Sequence, residues 1–220
     1  MQTNNQAMAS ALIHVVDDDE SIRKALTRLL TAAGYDVRTY ASAGEFLLVK
    51  VEPRPACILL DYSMPGPNGL ELQEALSQQD DVLPIIFLSG LGNVPTAVQA
   101  MKLGAVDFLS KPVQKEQLLE AIGKALVLQT RTRQRGGQLK TWRQHLQTLT
   151  QREREIFRLV VAGKLNKEIA HQLGTSERTV KAHRAAVMEK MHAASLAELV
   201  QISVQLGMTN TDLEQSSVPA

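Results

Sequence analysis

The chain has 220 residues, 44% of them hydrophobic and 21% charged, with one cysteine and a formal net charge of +1. That length can bury a core and has room for two domains. No apolar run is long enough to span a bilayer, no N-terminal apolar stretch is flanked by basic residues, and Cys57 alone allows no intrachain disulfide, so membrane and secreted classes are excluded and a cytoplasmic protein is expected.

Residues 1–10 are polar and aperiodic, and are expected to be disordered, as is the tail 209–220. Beyond the first of these, short β-branched runs at 12–16, 36–40, 57–61, 85–89 and 105–110 alternate with segments of helical period near 21–33, 43–50, 69–79, 94–103 and 115–128. Ser42 with Glu45 makes a capping box at the second helix. Five strands alternating with helices predict a doubly wound α/β domain with a parallel sheet over 11–128.

The C-terminal ends of four of these strands carry the chemistry. Asp17-Asp18-Asp19 follow the first run, Asp61 the third, Ser89 the fourth and Lys111-Pro112 the fifth. In an open parallel sheet that edge is where ligands bind, so carboxylates, a hydroxyl and an ammonium far apart in sequence converge on one crevice. Clustered carboxylates repel, and a hard divalent cation with oxygen ligands, Mg2+ above all, relieves the repulsion. With a metal and the Lys111 ammonium beside it, a carboxylate can attack a phosphoryl group. Asp61 is the candidate nucleophile, because it stands alone after a wholly apolar strand and before a turn-rich segment, 62–69. Singly, each piece has a plainer reading as a solvated loop tip, a turn or a local cap. All four plain readings must hold together to remove the site.

These pieces resemble a response-regulator receiver domain: Val-Val-Asp-Asp at 15–18, Asp61 followed by Ser-Met-Pro at 63–65, Ser89-Gly90, and Phe-Leu-Ser-Lys-Pro at 108–112. The resemblance implies a CheY-like fold in which Asp61 is phosphorylated from the phosphohistidine of a sensor histidine kinase. It also implies Mg2+ held by Asp18, Asp61 and the main-chain carbonyl of Ser63, with Asp17 completing the acidic pocket through a water. Lys111 would pair with the phosphoryl oxygens, Ser89 would hydrogen-bond to one of them, and Phe108 would turn inward as an aromatic switch. The Lys111-Pro112 bond is cis in such domains. Many receivers carry Thr where this chain has Ser89, and the hydroxyl is kept.

Charge divides the chain. Residues 1–130 hold 15 acidic and 10 basic side chains, net −5, whereas residues 131–220 hold 8 and 14, net +6. The acidic part suits a metal and phosphoryl site, the basic part a polyanion such as DNA. Over 129–145 a partly helical linker is expected, with a hinge at Gly136-Gly137, since each glycine costs a helix about 1 kcal/mol relative to alanine. Leu139, Trp142, Leu146 and Leu149 form one apolar stripe that should pack on a domain or on a second copy.

Four short helices are predicted over 146–208. Thr150 with Glu153 and Ser195 with Glu198 are capping boxes, Asn166 and Thr175 or Ser176 are N-cap candidates, and Gly163 and Gly174 mark helix ends. Helices near 166–173 and 176–191 are separated by so few residues that they must form a helix-turn-helix. On the second, Val180, Val187 and Met191 face inward, while Arg178, Lys181, Ala182, Ala185 and Glu189 form a surface able to enter a major groove. Lys164, Lys167, Arg152, Arg154 and Arg184 are placed for phosphates.

This part resembles the LuxR-type DNA-binding domain through Leu-Thr-x-Arg-Glu-x-Glu at 149–155, Asn-Lys-Glu-Ile-Ala at 166–170, Leu-Gly at 173–174, Arg-Thr-Val-Lys-x-His-Arg at 178–184 and Ser-x-Ala-Glu-Leu-Val at 195–200. By that resemblance Lys181, Ala182 and Ala185 face bases, with Lys167, Thr179 and Arg184 nearer the backbone. A receiver joined to such a domain is a response regulator of the NarL/FixJ type, and the longer linker is similar to the FixJ branch. The implied protein is a two-component transcription regulator that dimerises on phosphorylation, binds promoter DNA and activates transcription by RNA polymerase. A phosphorylation-independent DNA-binding regulator is an alternative. An aspartyl-phosphate phosphatase is another, but such enzymes need a second Asp two residues after the nucleophile, where this chain has Ser63.

Overall fold

The computed structural model describes residues 11–66, 69–77, 83–90 and 94–208. The expectations for the tails 1–10 and 209–220 fall outside them. Elements run β1 (Leu12–Val16), α1 (Glu20–Ala32), β2 (Asp36–Tyr40), α2 (Ala43–Leu47), β3 (Ala56–Asp61), α3 (Gly69–Ser77), β4 (Ile85–Ser89), α4 (Val94–Lys102), β5 (Asp107–Ser110), α5 (Lys115–Thr148), α6 (Gln151–Val161), α7 (Asn166–Gln172), α8 (Glu177–Lys190) and α9 (Leu196–Gln205). The chain divides into two compact units, 1–133 and 134–220.

The first unit is built on one parallel sheet of order β2-β1-β3-β4-β5. Strands β1, β3 and β4 are buried along their whole length, as continuous apolar runs covered on both faces must be. Because side chains alternate, Ile13, Val15, Cys57, Leu59, Ile86 and Leu88 meet α1 and α5 on one face. Leu12, Val16, Ile58, Leu60, Ile85 and Phe87 meet α2, α3 and α4 on the other. On the latter face His14 is buried, its Nδ1 3.0 Å from the Tyr40 hydroxyl and its ring edge-on to Phe46. Edge strand β2 is laced by ion pairs among Asp36, Arg38, Glu52 and Arg54, which protect an exposed strand from pairing with another chain.

The capping boxes form with one variation. Ser42 and Ser195 accept from Glu45 N and Glu198 N, but each glutamate reaches back one residue further than expected, to Ala41 N and Ala194 N. Thr150 and Glu153 make the reciprocal pair.

The hinge expected at Gly136-Gly137 is not present: α5 runs through both glycines without a break. Neither takes a positive φ, and both are flanked by good helix formers, so two modest propensity costs are outvoted by the rest of the helix. In the second unit Trp142 and Leu146 pack against a core that includes Leu149, Ile156, Phe157, Ile169, Val180, Val187 and Leu199, so the predicted stripe lies against this domain.

Candidate functional site

The sheet brings the four sequence pieces to one edge. Asp61 is the last residue of β3 and pairs with Leu88, so Ser89 is one step beyond it on β4, and Ser89 pairs with Ser110, which precedes Lys111. Lys111 N donates to Ser89 O at 2.7 Å, holding the β5 loop against β4, and the Lys111-Pro112 bond is cis. Asp17, Asp61 and Ser89 are buried, whereas Asp18 is exposed at the mouth.

Lys111 Nζ lies 2.7 Å from Asp17 Oδ2 and 2.8 Å from Asp61 Oδ1. Burial pushes the Asp61 carboxyl above the usual range, Lys111 draws it back, and the charges of Asp17 and Asp18 push it up again. Burial also works against the Lys111 charge, but its bonds to Asp17 and Asp61 outweigh that, so its pKa is raised. Ligand oxygens of Asp17, Asp18 and Asp61 lie within 4.8 Å of one another. Three carboxylates against one ammonium leave excess negative charge, and an all-oxygen set suits a hard cation: this is an acidic pocket of the kind that binds Mg2+.

Asp19, third of the acidic run, does something else. Its Oδ1 accepts from Ser21 N and Ile22 N, capping α1 and holding its own carboxyl below the usual range. Asp17 is oriented by Asp19 N at 2.9 Å, and its carbonyl accepts from Arg23 Nη1. Ser63 is exposed in the turn after β3. Phe108 is half-buried, its ring 6.1 Å from Phe87 and 6.4 Å from Tyr62.

One residue behind the pocket was read only as part of a turn. A Cβ at Gly69 would stand 2.7 Å from Phe87 Cε1 and 2.9 Å from Asp61 O, so only glycine lets α3 start directly against Asp61. A glycine at the predicted helix start was the available signal.

In the second unit α7 and α8 form the helix-turn-helix, with Gly174 at φ +59° between them and Ser176 capping α8. Val180 and Val187 are buried beneath α8, leaving Arg178, Thr179, Lys181, Ala182 and Ala185 exposed, with Lys167 exposed on α7. Arg178, Lys181, Lys164 and Lys167 make no ion pair among the described residues.

Three expected phosphate ligands are otherwise engaged. Arg152 donates to Leu173 O and pairs with Glu155, Arg154 donates to Gln147 O, and half-buried Arg184 donates to Asn166 Oδ1 at 2.9 Å. That last bond explains why Asn166 is not the N-cap: its amide is taken by α8, and Leu165 occupies the cap position with no side-chain bond. The Glu153–Lys190 ion pair, 2.6 Å, ties α6 to the end of α8 and was not legible from the capping pattern.

Comparison with known proteins bears on both units. Residues 13–123 match the response regulator receiver domain family, and residues 147–203 match the bacterial regulatory proteins of the luxR family. The transcriptional regulatory protein FixJ of Rhizobium meliloti is 40% identical over 200 residues, covering 91% of this chain and 98% of that protein. The chain is a response regulator of the NarL/FixJ type. Nodulation protein W of Bradyrhizobium diazoefficiens is 39% identical over 215 residues, 98% of the regulator and 95% of the relative. Among solved structures, the response regulator StyR is 40% identical with a TM-score of 0.77, over 89% of this regulator and 98% of that chain. The family is one of transcriptional response regulators, not enzymes, and a receiver joined to a LuxR-type domain implies a sensor kinase and DNA as partners. Among the described residues no helix is long and apolar enough to cross a membrane.

Proposed function

We propose that Asp61 is the phosphoacceptor of a cytoplasmic transcription regulator with a receiver over 11–128, a helical linker over 129–145 and a DNA-binding domain over 146–208. The observation that carries this reading is the Lys111 ammonium bridging Asp17 and Asp61 at 2.7 and 2.8 Å. A carboxylate of Asp61 attacks the phosphorus of a kinase phosphohistidine, forming a P–O bond as the P–N bond breaks with its electrons on the imidazole nitrogen. Lys111 then pairs with the phosphoryl oxygens. Asp18, Asp61 and the Ser63 carbonyl hold Mg2+, with Asp17 acting through water; when bound, the cation offsets the charge that builds on the phosphoryl oxygens.

Ser89, buried one step beyond Asp61 on the neighbouring strand, hydrogen-bonds to the phosphoryl group, and Phe108 follows it further into the aromatic group with Tyr62 and Phe87. This biases the face formed by α4, β5 and α5, where Val94, Val98 and Met101 are exposed, toward a homodimer. The dimer presents two copies of α8 to two half-sites, with Lys181, Ala182 and Ala185 toward bases and Lys167, Arg178 and Thr179 nearer phosphates, and activates transcription through RNA polymerase.

The test is the mass in solution, by light scattering with Mg2+, with and without beryllofluoride, on wild type and Asp61→Asn. A monomer-to-dimer shift confined to the wild type supports the proposal; an equal shift in both proteins, or a variant that regulates fully, refutes it.

A further inference from the structure

At the opposite edge of the sheet from Asp61, at the N-terminal end of β4, lies a cavity of about 140 Å3 between α3, the end of α4 and α5. Its apolar wall is Leu83, Pro84, Ile85, Leu103 and Leu128. Leu103 and Leu128 remain 40% and 48% exposed, so apolar surface is left uncovered at its rim. Two glutamines also line it: Gln73 of α3, 4% exposed, and Gln129 of α5, 8% exposed. Gln73 Nε2 donates to Ala100 O, but the Oε1 atoms of both side chains are buried with no hydrogen-bond partner.

Two unmatched buried acceptors are costly, about 1–3 kcal/mol each, and a native fold ordinarily meets them. Solvent could satisfy the oxygens, but it would leave Leu103 and Leu128 wet. No charged side chain lines the cavity among the described residues, which disfavours an ionic occupant. The size is that of one ring, since an apolar cavity of about 150 Å3 takes up benzene.

We propose that this cavity binds a small neutral organic molecule with a ring-sized apolar body and a hydrogen-bond donor, the chemistry of a phenol. The apolar body covers Leu103 and Leu128, and the hydroxyl donates to Gln73 or Gln129. Because the walls come from α3, the end of α4 and α5, the occupant ties together helices that otherwise meet only loosely at this end.

The experiment titrates full-length protein with phenol and with fluorobenzene, which has similar size and no donor, following the methyl signals of Leu83, Leu103 and Leu128 by NMR. Saturable shifts are expected with phenol, with affinity roughly fivefold or more above that for fluorobenzene, the worth of one hydrogen bond. Gln129→Met should remove that preference, and Gln73→Met should reduce it. Gln129→Met makes the result independent of the α3–α4 contact that Gln73 also serves. Absence of saturable shifts with phenol, equal affinity for both probes, or an unchanged preference in Gln129→Met would overturn the proposal and leave solvent as the occupant.

Discussion

Lys111 Nζ bridges Asp17 Oδ2 and Asp61 Oδ1, two carboxylates that end different strands, from a loop that follows a third. The ammonium therefore closes the sheet edge as well as neutralising it. Lys111→Met should leave two buried carboxylates facing each other and cost about 2–3 kcal/mol in denaturant unfolding without divalent cations. Adding Asp61→Asn should recover part of that loss, because the repulsion goes with the charge. A double-mutant cycle with additive effects would show that the three groups are not coupled.

His14 is held neutral by burial, its pKa lowered to about 4 from 6.5, with Arg38 adding to the effect. An unfolded chain takes up a proton near pH 6.5 while the folded one resists until about 4, so stability falls as pH drops through that window. Between pH 7 and 5 this group should account for about 2 kcal/mol. Chemical denaturation of wild type and His14→Leu at both pH values isolates it: the variant should lose less by that amount, and parallel losses would contradict the assignment.

Gly136 and Gly137 lie inside α5, and a Cβ at either would meet nothing within 4 Å. Gly136→Ala and Gly137→Ala should each stabilise the helix by about 1 kcal/mol, raising helicity and the melting temperature. If the positions bend in solution, the alanines should instead leave melting unchanged and alter regulated DNA binding.

On the DNA-binding unit, Lys181 and Lys167 are free of ion pairs while Arg184 is bonded to Asn166. Lys167→Ala should weaken binding to all sequences and reduce the salt slope by about 1, whereas Lys181→Ala should cost about 1–3 kcal/mol mainly at one operator position. Arg184→Ala should lower the melting temperature as well as affinity, since it uncouples α7 from α8. Titrations over a salt series, with melting curves, separate the three.

Much of the first unit could be read without coordinates because period-two and helical patterns alternate cleanly, and because each strand-end residue of interest terminates an apolar run. Asp17, Asp61, Ser89 and Lys111 were placed at one edge by that logic alone. Asp19 was grouped with them, since a run of three aspartates does not say which carboxylate turns back to cap a helix. Arg152, Arg154 and Arg184 looked like phosphate ligands for a similar reason: a basic residue on a helix face reads the same whether it meets solvent or a carbonyl from another helix.

Local propensity and strand-end chemistry, then, are properties of neighbouring residues, and the sequence by itself determined the order of elements, the parallel sheet, the acidic edge and the exposed face of α8. Contacts between distant residues decided the rest. Whether Gly136-Gly137 bends depends on the balance of a whole helix, and whether Asn166 caps depends on Arg184 eighteen residues away. The seat of Gly69 against Asp61 and Phe87, and the two unmet amide oxygens of Gln73 and Gln129, exist only once the sheet is packed. Pairings of that kind cost chain entropy to form and leave no periodic trace, so only the tertiary structure could reveal them.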